Sequence, residues 1–307
     1  MKFLLTAINA KFIHSNPSIY SLRAGVGEKL QPYVELAEFT INESLESILE
    51  GIWKRQPKVI GFSCYIWNWK LIREILTELP KILPDTEIWL GGPEVTYDGP
   101  GLLSEFPQVT GIMVGEGEVT FREVLGQYVR EAESTGQSEQ QPEPDSIEQQ
   151  AADRTGTLAG KSVAERFGQI PGLCLASGYT APRELTDLTT LPFLYEDMEP
   201  FTNRIIYYET SRGCPYRCSY CLSSIDKKVR LRDIDVVKRE LQFFLDQNVK
   251  QVKFIDRTFN CDHKHAMEIW EYIYKHDNGV TNFHFEISAD ILREEEIVLL
   301  NHNRPAQ

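Results

Sequence analysis

Short apolar runs recur along the first part of the chain, and between them lie longer stretches in which apolar residues return with helical spacing. The runs are FLLTAI (3–8), YVELAEF (33–39), KVIGFS (58–63), EIWLGG (87–92) and GIMVGE (111–116). The intervening stretches near 18–30, 43–55, 68–82 and 98–106, and a last one at 118–131, predict helices. Strand and helix in strict alternation predict a doubly wound, Rossmann-like α/β domain over residues 1–131, with a parallel sheet covered on both faces.

The pattern breaks at residue 132. From there to 165 the chain is rich in Gln, Glu, Ser and Thr, includes Pro142 and Pro144, and lacks the periodicity of a packed element, which predicts a flexible linker. Residues 166–204 read as a short hairpin followed by an extended bridging arm containing LPF. Alternation then resumes: a strand at 204–211, a helix at 233–247, a strand at 251–256, a helix at 262–276, a strand at 282–288 and a helix near 293–302. The segment 205–307 is therefore expected to be an incomplete (β/α) barrel, with too few strands to close. On that reading the chain continues beyond Gln307 or is a shortened form, and a non-catalytic metal-binding module that needs a partner is the alternative to an enzyme.

Charge changes the picture little. The net charge is −13, and seven acidic residues with no basic one between Glu131 and Asp153 supply about half of it. An acidic chain without a basic stripe carries no direct signal for nucleic acid. The start, MKFLLTAINAKF, meets Asn9 and Lys11 before a signal-peptide core has formed, and no apolar run reaches membrane-spanning length. A cytoplasmic location is expected, and clustered cysteines there point to metal or redox chemistry.

Three of the six cysteines stand in TSRGCPYRCSYC (210–221): Cys214, Cys218 and Cys221. Zinc would need a fourth ligand, which Cys261 or His263 offers. Cys218 and Cys221 alone have the spacing of a redox pair, which leaves Cys214 unexplained. Three thiolates also suit a four-iron cluster whose fourth iron stays open to bind a small molecule. The loop follows a strand at the carboxyl-end rim of the expected barrel, where active sites of that architecture gather.

The run CPYRCSYC resembles the Cys-x3-Cys-x-aromatic-Cys signature of the radical S-adenosylmethionine (SAM) enzymes. With GGPEVTYD, VGEGEVTF and the LPF arm, the chain as a whole resembles the subgroup that has an N-terminal cobalamin-binding domain. The resemblance implies a 4Fe–4S cluster on Cys214, Cys218 and Cys221, SAM chelated at the open iron, and reductive cleavage of SAM to a 5′-deoxyadenosyl radical. It also implies a low-potential electron donor such as flavodoxin or ferredoxin, and an unactivated carbon as target, modified by methyl transfer or radical rearrangement. Tyr220 would lie near the adenine, and Asp256 in FIDRTF would take the SAM ammonium. Glu286 and Ser288 would serve ribose hydroxyls or other polar SAM groups. Arg257 stands where the subgroup often has a second acid.

Cobalamin is the third implied cofactor, without a protein histidine on cobalt. The subgroup's Asp-x-His-x-x-Gly loop is replaced here by NAKFIH, with Asn9 and Lys11 at the first two places and His14 read as a packing residue. The aromatics Tyr65, Trp67 and Trp69 are expected either to cover a corrin ring or simply to start a helix packed on the sheet. Gly91, Gly92, Gly115 and Gly117 are expected to let backbone approach a bulky ligand. Cys64 and Cys174 read as buried apolar residues.

Overall fold

The computed structural model describes residues 1–134, 161–226 and 228–302. Most of the expected linker falls outside the described residues. The chain forms two compact units, one of Met1–Phe12 with Asn16–Thr186 and one of Ile13–Ser15 with Asp187–Gln307.

The first unit is a seven-stranded sheet in the order β2-β1-β3-β4-β5-β6-β7. Strands β1 (Phe3–Asn9), β2 (Val34–Thr40), β3 (Val59–Ser63), β4 (Glu87–Gly91) and β5 (Val109–Met113) run parallel. Helices α1 (Pro17–Gly25), α2 (Leu45–Trp53), α3 (Trp69–Ile82) and α4 (Gly99–Glu105) are the crossovers, and α5 (Gly117–Ser134) and α6 (Val163–Phe167) follow β5. Every residue of β1 is buried, as the centre of a doubly covered sheet requires. Alternate side chains face two cores. Leu4 and Ile8 join Ile48, Ile52, Ile72, Ile75 and Leu103 from α2, α3 and α4. Phe3, Leu5 and Ala7 join Ile19, Phe121, Val124 and Phe167 from α1, α5 and α6.

The hairpin expected within 166–204 forms as β6 (Leu173–Leu175) and β7 (Gly178–Tyr179), and it extends the first sheet instead of standing apart. Leu173, Cys174 and Leu175 are all buried, and Cys174 pairs antiparallel with Ile112, so this apolar triplet covers the open edge of β5. Arg166 ties α6 to the unit through ion pairs with Glu87 at 3.0 Å and Glu131 at 2.9 Å.

The second unit holds a parallel sheet of β8 (Ile206–Tyr208), β11 (Gln251–Phe254) and β12 (Asn282–His284), with β11 central. A two-stranded antiparallel ribbon joins β9 (Ser211–Arg212) to β10 (Arg230–Leu231). Helices α7 (Ile234–Asp246), α8 (His263–His276) and α9 (Glu294–His302) complete the described part. Aromatic rings fill the core: Tyr208, Phe244, Phe254, Phe259, Trp270 and Phe285 meet edge to face or tilted. Tyr207, Lys253 and His284 stand in register across the strands.

Two strands are shorter than their apolar runs predict. The run 204–211 breaks at Glu209 because Ser211 and Arg212 pair with Leu231 and Arg230. The run 282–288 leaves the ladder after His284, where its backbone bonds instead to Phe259 and Asn260. Among the described residues no helix is long and apolar enough to cross a membrane.

Candidate functional site

In the first unit the chain passes from β1 to β2 on one side and then crosses to β3 on the other, so the loops after β1 and β3 part at the carboxyl end of the sheet. That is where doubly wound sheets bind ligands. Asn68, fully buried, stitches this end together. Its amide nitrogen donates to the carbonyls of Ile8 and Ser63, each at 3.0 Å, and its amide oxygen accepts the Tyr65 N–H at 2.8 Å. Only an amide both gives and takes in this way, so the three partners fix its orientation. Beside it Glu38 accepts from the Asn9 side chain, the Asn16 backbone N–H and the Tyr20 hydroxyl.

The loop so held presents Tyr65 and Trp67 as a parallel stacked pair, with ring centroids 4.4 Å apart and 8° between planes. The Tyr65 hydroxyl and Ser18 Oγ are 3.1 Å apart, and Trp67 is 47% exposed. A rigid, flat, half-exposed aromatic surface at the switch point has the chemistry to receive a macrocycle, and in that sense these residues fit cobalamin. Trp69 turns away, starting α3 and packing on Phe106. His14 lies in the second unit, hydrogen-bonded to the Tyr207 hydroxyl, which agrees with its reading as a packing residue. Cys64 and Cys174 are buried, and burial raises both thiols.

Of the four glycines, Gly92 has a demand of its own inside the fold. It has φ of +107°, and a Cβ there would stand 2.5 Å from the carbonyl oxygen of Cys64. Its smallness admits the backbone that follows β3. Gly117 opens α5 with a Cβ position 3.0 Å from Leu22, a tight packing contact, whereas Gly91 ends β4 with only ordinary contact to Met113. Gly115 alone has open space where a side chain would stand.

In the second unit the three cysteines of the motif share one loop. Cys214 is buried at its base, and Cys218 and Cys221 are partly exposed, all as free thiols. Gly213 is required at the entry, with φ of +101° and a Cβ position 2.4 Å from the Lys228 carbonyl. The base is fixed by Cys214 N–H donating to Asp226 and by a 3.7 Å contact between Cys214 Sγ and Thr258 Oγ1. Hydrogen bonds from the Ser223 backbone and side chain, with Arg257 adding a smaller charge effect, hold the Cys221 thiol below its ordinary pKa and favour the thiolate. Tyr216 reaches across to Ser288 at 3.2 Å.

Among the described residues no three His, Cys, Asp or Glu side chains form a preformed metal cage, so the thiols share a loop rather than a closed shell. Three soft donors on a loop anchored at its base match what an iron–sulfur cluster asks of a protein. Of the ligands that zinc would need, His263 Nδ1 is taken by the buried Glu296 at 2.8 Å. Cys261, near enough to Cys214 to feel its charge, is raised chiefly by burial and so favours the neutral thiol.

Asp256 is bonded within its own chain. It is 1% exposed, and its oxygens accept from Thr210 Oγ1 at 2.7 Å, Ser211 Oγ at 2.6 Å and the Thr210 backbone N–H at 3.2 Å. Burial raises its pKa to about 6, against the three hydrogen bonds that lower it. The carboxylate thus serves its own chain. Glu286 lies at the rim, paired with Lys253 at 3.0 Å, and Tyr220 is 91% exposed. Ser288 Oγ donates to Asp290, while its backbone N–H and carbonyl are both held by the buried Asn260 side chain.

Sequence reading missed Asn68, Asn260, Thr210 and Ser211. The signal available for the two asparagines was an amide just before a helix or inside an otherwise apolar stretch, where a polar group must find backbone partners.

A profile described as the B12 binding domain matches residues 4–125, and one described as the Radical SAM superfamily matches residues 208–304. The 2-(S-pantetheinyl)-carbapenam-3-carboxylate methyltransferase of Streptantibioticus cattleyicolor is 27% identical over 228 residues, covering 71% of this chain and 29% of that protein. The cobalamin-dependent radical SAM methyltransferase TokK of Streptomyces tokunonensis is 24% identical over 226 residues, or 66% of this chain and 28% of TokK. The chain therefore spans less than a third of the length of either relative. The structure of the radical SAM methyltransferase TsrM from Kitasatospora setae, with cobalamin and a 4Fe–4S cluster bound, superposes with a TM-score of 0.64. It shares 18% identity and covers 98% of this chain and 57% of that one, a likeness of fold.

Proposed function

We propose, from the premise that this chain belongs to the radical SAM superfamily in the subgroup with an N-terminal B12-binding domain, that it takes part in cobalamin-dependent radical chemistry on an unactivated carbon, with methyl transfer the favoured outcome. The cofactors of that subgroup are a 4Fe–4S cluster, SAM and cobalamin. When bound, they supply the electron, the cleavable sulfonium and the methyl carrier, the difficult chemistry that side chains lack.

The observation that carries the reading is the single loop with Cys214, Cys218 and Cys221, which leads out of the carboxyl end of the second unit's first sheet strand. These thiols would hold three irons and leave one open. Ser223 favours the thiolate of Cys221 that ligation needs. Tyr220, exposed at the rim, is available to cover an adenine, and Glu286 and Ser288, beyond the end of the third strand, would turn side-chain oxygens to polar SAM groups. In the first unit Tyr65 and Trp67 would carry the corrin face, with no protein ligand to cobalt. A low-potential one-electron donor of flavodoxin or ferredoxin type, in a reducing cytoplasm, completes the proposal.

The test is anaerobic reconstitution with iron and sulfide, followed by reduction in the presence of SAM and assay for 5′-deoxyadenosine and S-adenosylhomocysteine. Iron uptake and SAM turnover that both vanish in Cys218→Ala support the reading. A zinc ion in place of iron, or a cluster indifferent to SAM, refutes it.

A further inference from the structure

Asp256 is a buried carboxylate just beyond the end of β11, and the three groups it binds belong to the two residues just upstream of the cysteine loop. Thr210 gives it both hydroxyl and backbone N–H, and Ser211 gives its hydroxyl. On the other side the Thr210 carbonyl accepts the Arg232 N–H at 2.8 Å, so Thr210 is clamped between β11's end and the residue after β10. This clamp is where the chain turns out of β8, and Cys214 follows three residues beyond Ser211. Thr258, two residues after Asp256, touches Cys214 Sγ directly. A carboxylate is acceptor-only, so it gathers several donors at one point, which an amide or a hydroxyl in its place would do less completely.

We infer that Asp256 is a positioning residue for the cluster loop: it holds the Thr210–Ser211 turn so that Cys214 is presented at the fixed base of the loop. Its oxygens already accept three hydrogen bonds from the chain, two of them on Oδ1. The inference rests on the proposed function, because it needs the three cysteines to be cluster ligands. It differs from the role implied by resemblance, which makes Asp256 a contact of the bound cofactor itself.

Loading and SAM affinity separate the two roles. The full chain, its D256N variant and a Thr210→Val/Ser211→Ala double variant, which leaves the carboxylate in place but removes both hydroxyls, are reconstituted under nitrogen. Folding is checked by circular dichroism and thermal melting. Iron and sulfide per chain, the EPR spectrum of the reduced cluster without SAM, and SAM affinity by equilibrium dialysis on the loaded fraction are then measured. Supporting groups behind metal ligands typically change metal affinity about 10- to 100-fold, so D256N and the double variant should both load at least about tenfold more weakly, while whatever fraction loads binds SAM like the wild type. Should D256N misfold, the double variant decides: weak loading upholds the inference and normal loading overturns it. Normal loading of D256N with lost SAM affinity also overturns it and leaves the proposed function standing. A wild-type chain that takes up no cluster sinks both.

Discussion

Two strand-end loops in this molecule are each held by one buried side chain, and the chemistry of the two side chains differs. After β3, the neutral amide of Asn68 donates to two carbonyls and accepts one N–H. After β8, the acid Asp256 only accepts, from two hydroxyls and one N–H. The first loop is stitched at its middle and carries a stacked aromatic pair. The second is pinned at its base and through Tyr216 to Ser288, while Tyr220 near its far end is 91% exposed. A loop that offers a flat apolar surface gains from being stiff before its guest arrives. A loop that supplies metal ligands is completed by the metal, whose binding energy orders it.

The largest way to break this comparison is Asn68→Ala. It leaves the Ile8 and Ser63 carbonyls and the Tyr65 N–H without their partner, at about 1–3 kcal/mol for each unsatisfied buried group, so a total loss of about 4 kcal/mol in the first unit is expected. Urea unfolding followed by tryptophan fluorescence measures it, and iron loading of the second unit should not change.

The second prediction turns on charge. Burial raises the Asp256 pKa from 3.8 to about 6, so the native unit holds this proton more tightly than the unfolded chain does. The resulting stability is fully present below about pH 4 and is lost as the pH rises through about 6, a change of about 3 kcal/mol. Comparing urea midpoints of the wild type and D256N at about pH 4 and about pH 7.5 isolates it, since the other carboxylates are common to both chains. A pH-independent difference between the two would contradict the assignment. Asn68 has no such titration, so the first loop should lack this dependence.

Smaller effects sharpen the picture. Trp67→Ala removes half of the stacked pair and should weaken cobalamin binding by about three- to tenfold, the worth of an aromatic contact, with little loss of fold stability because the ring is 47% exposed. Difference absorbance during cobalamin titration reads this directly. Cys261→Ser should leave iron content unchanged, since the motif cysteines suffice as ligands. A fall in metal content after that change would return weight to a four-ligand zinc site.

The alternation of apolar runs and helical stretches foretold the five parallel strands of the first sheet, because a strand covered on both faces must be apolar throughout, as β1 is. The cysteine spacing named the loop and its three thiols. The hairpin was visible as a hairpin, but its place beside β5 was not: which edge a short strand covers depends on pairing between residues 62 positions apart, Ile112 and Cys174. The shortened β12 has the same origin, since Asn260 withdraws residues up to Ser288 from the ladder.

What the sequence determined by itself was local chemistry: element types, from periodicity, and the donor set of three cysteines, from spacing. What the tertiary structure alone decided was which polar groups are already taken. Gly92 makes way for the backbone of Cys64, and Asp256 accepts three hydrogen bonds from Thr210 and Ser211, 45 or more residues upstream. Hydrogen-bond valence is finite and buried groups must be satisfied, so a side chain's availability for a ligand depends on long-range neighbours that its own sequence context does not contain.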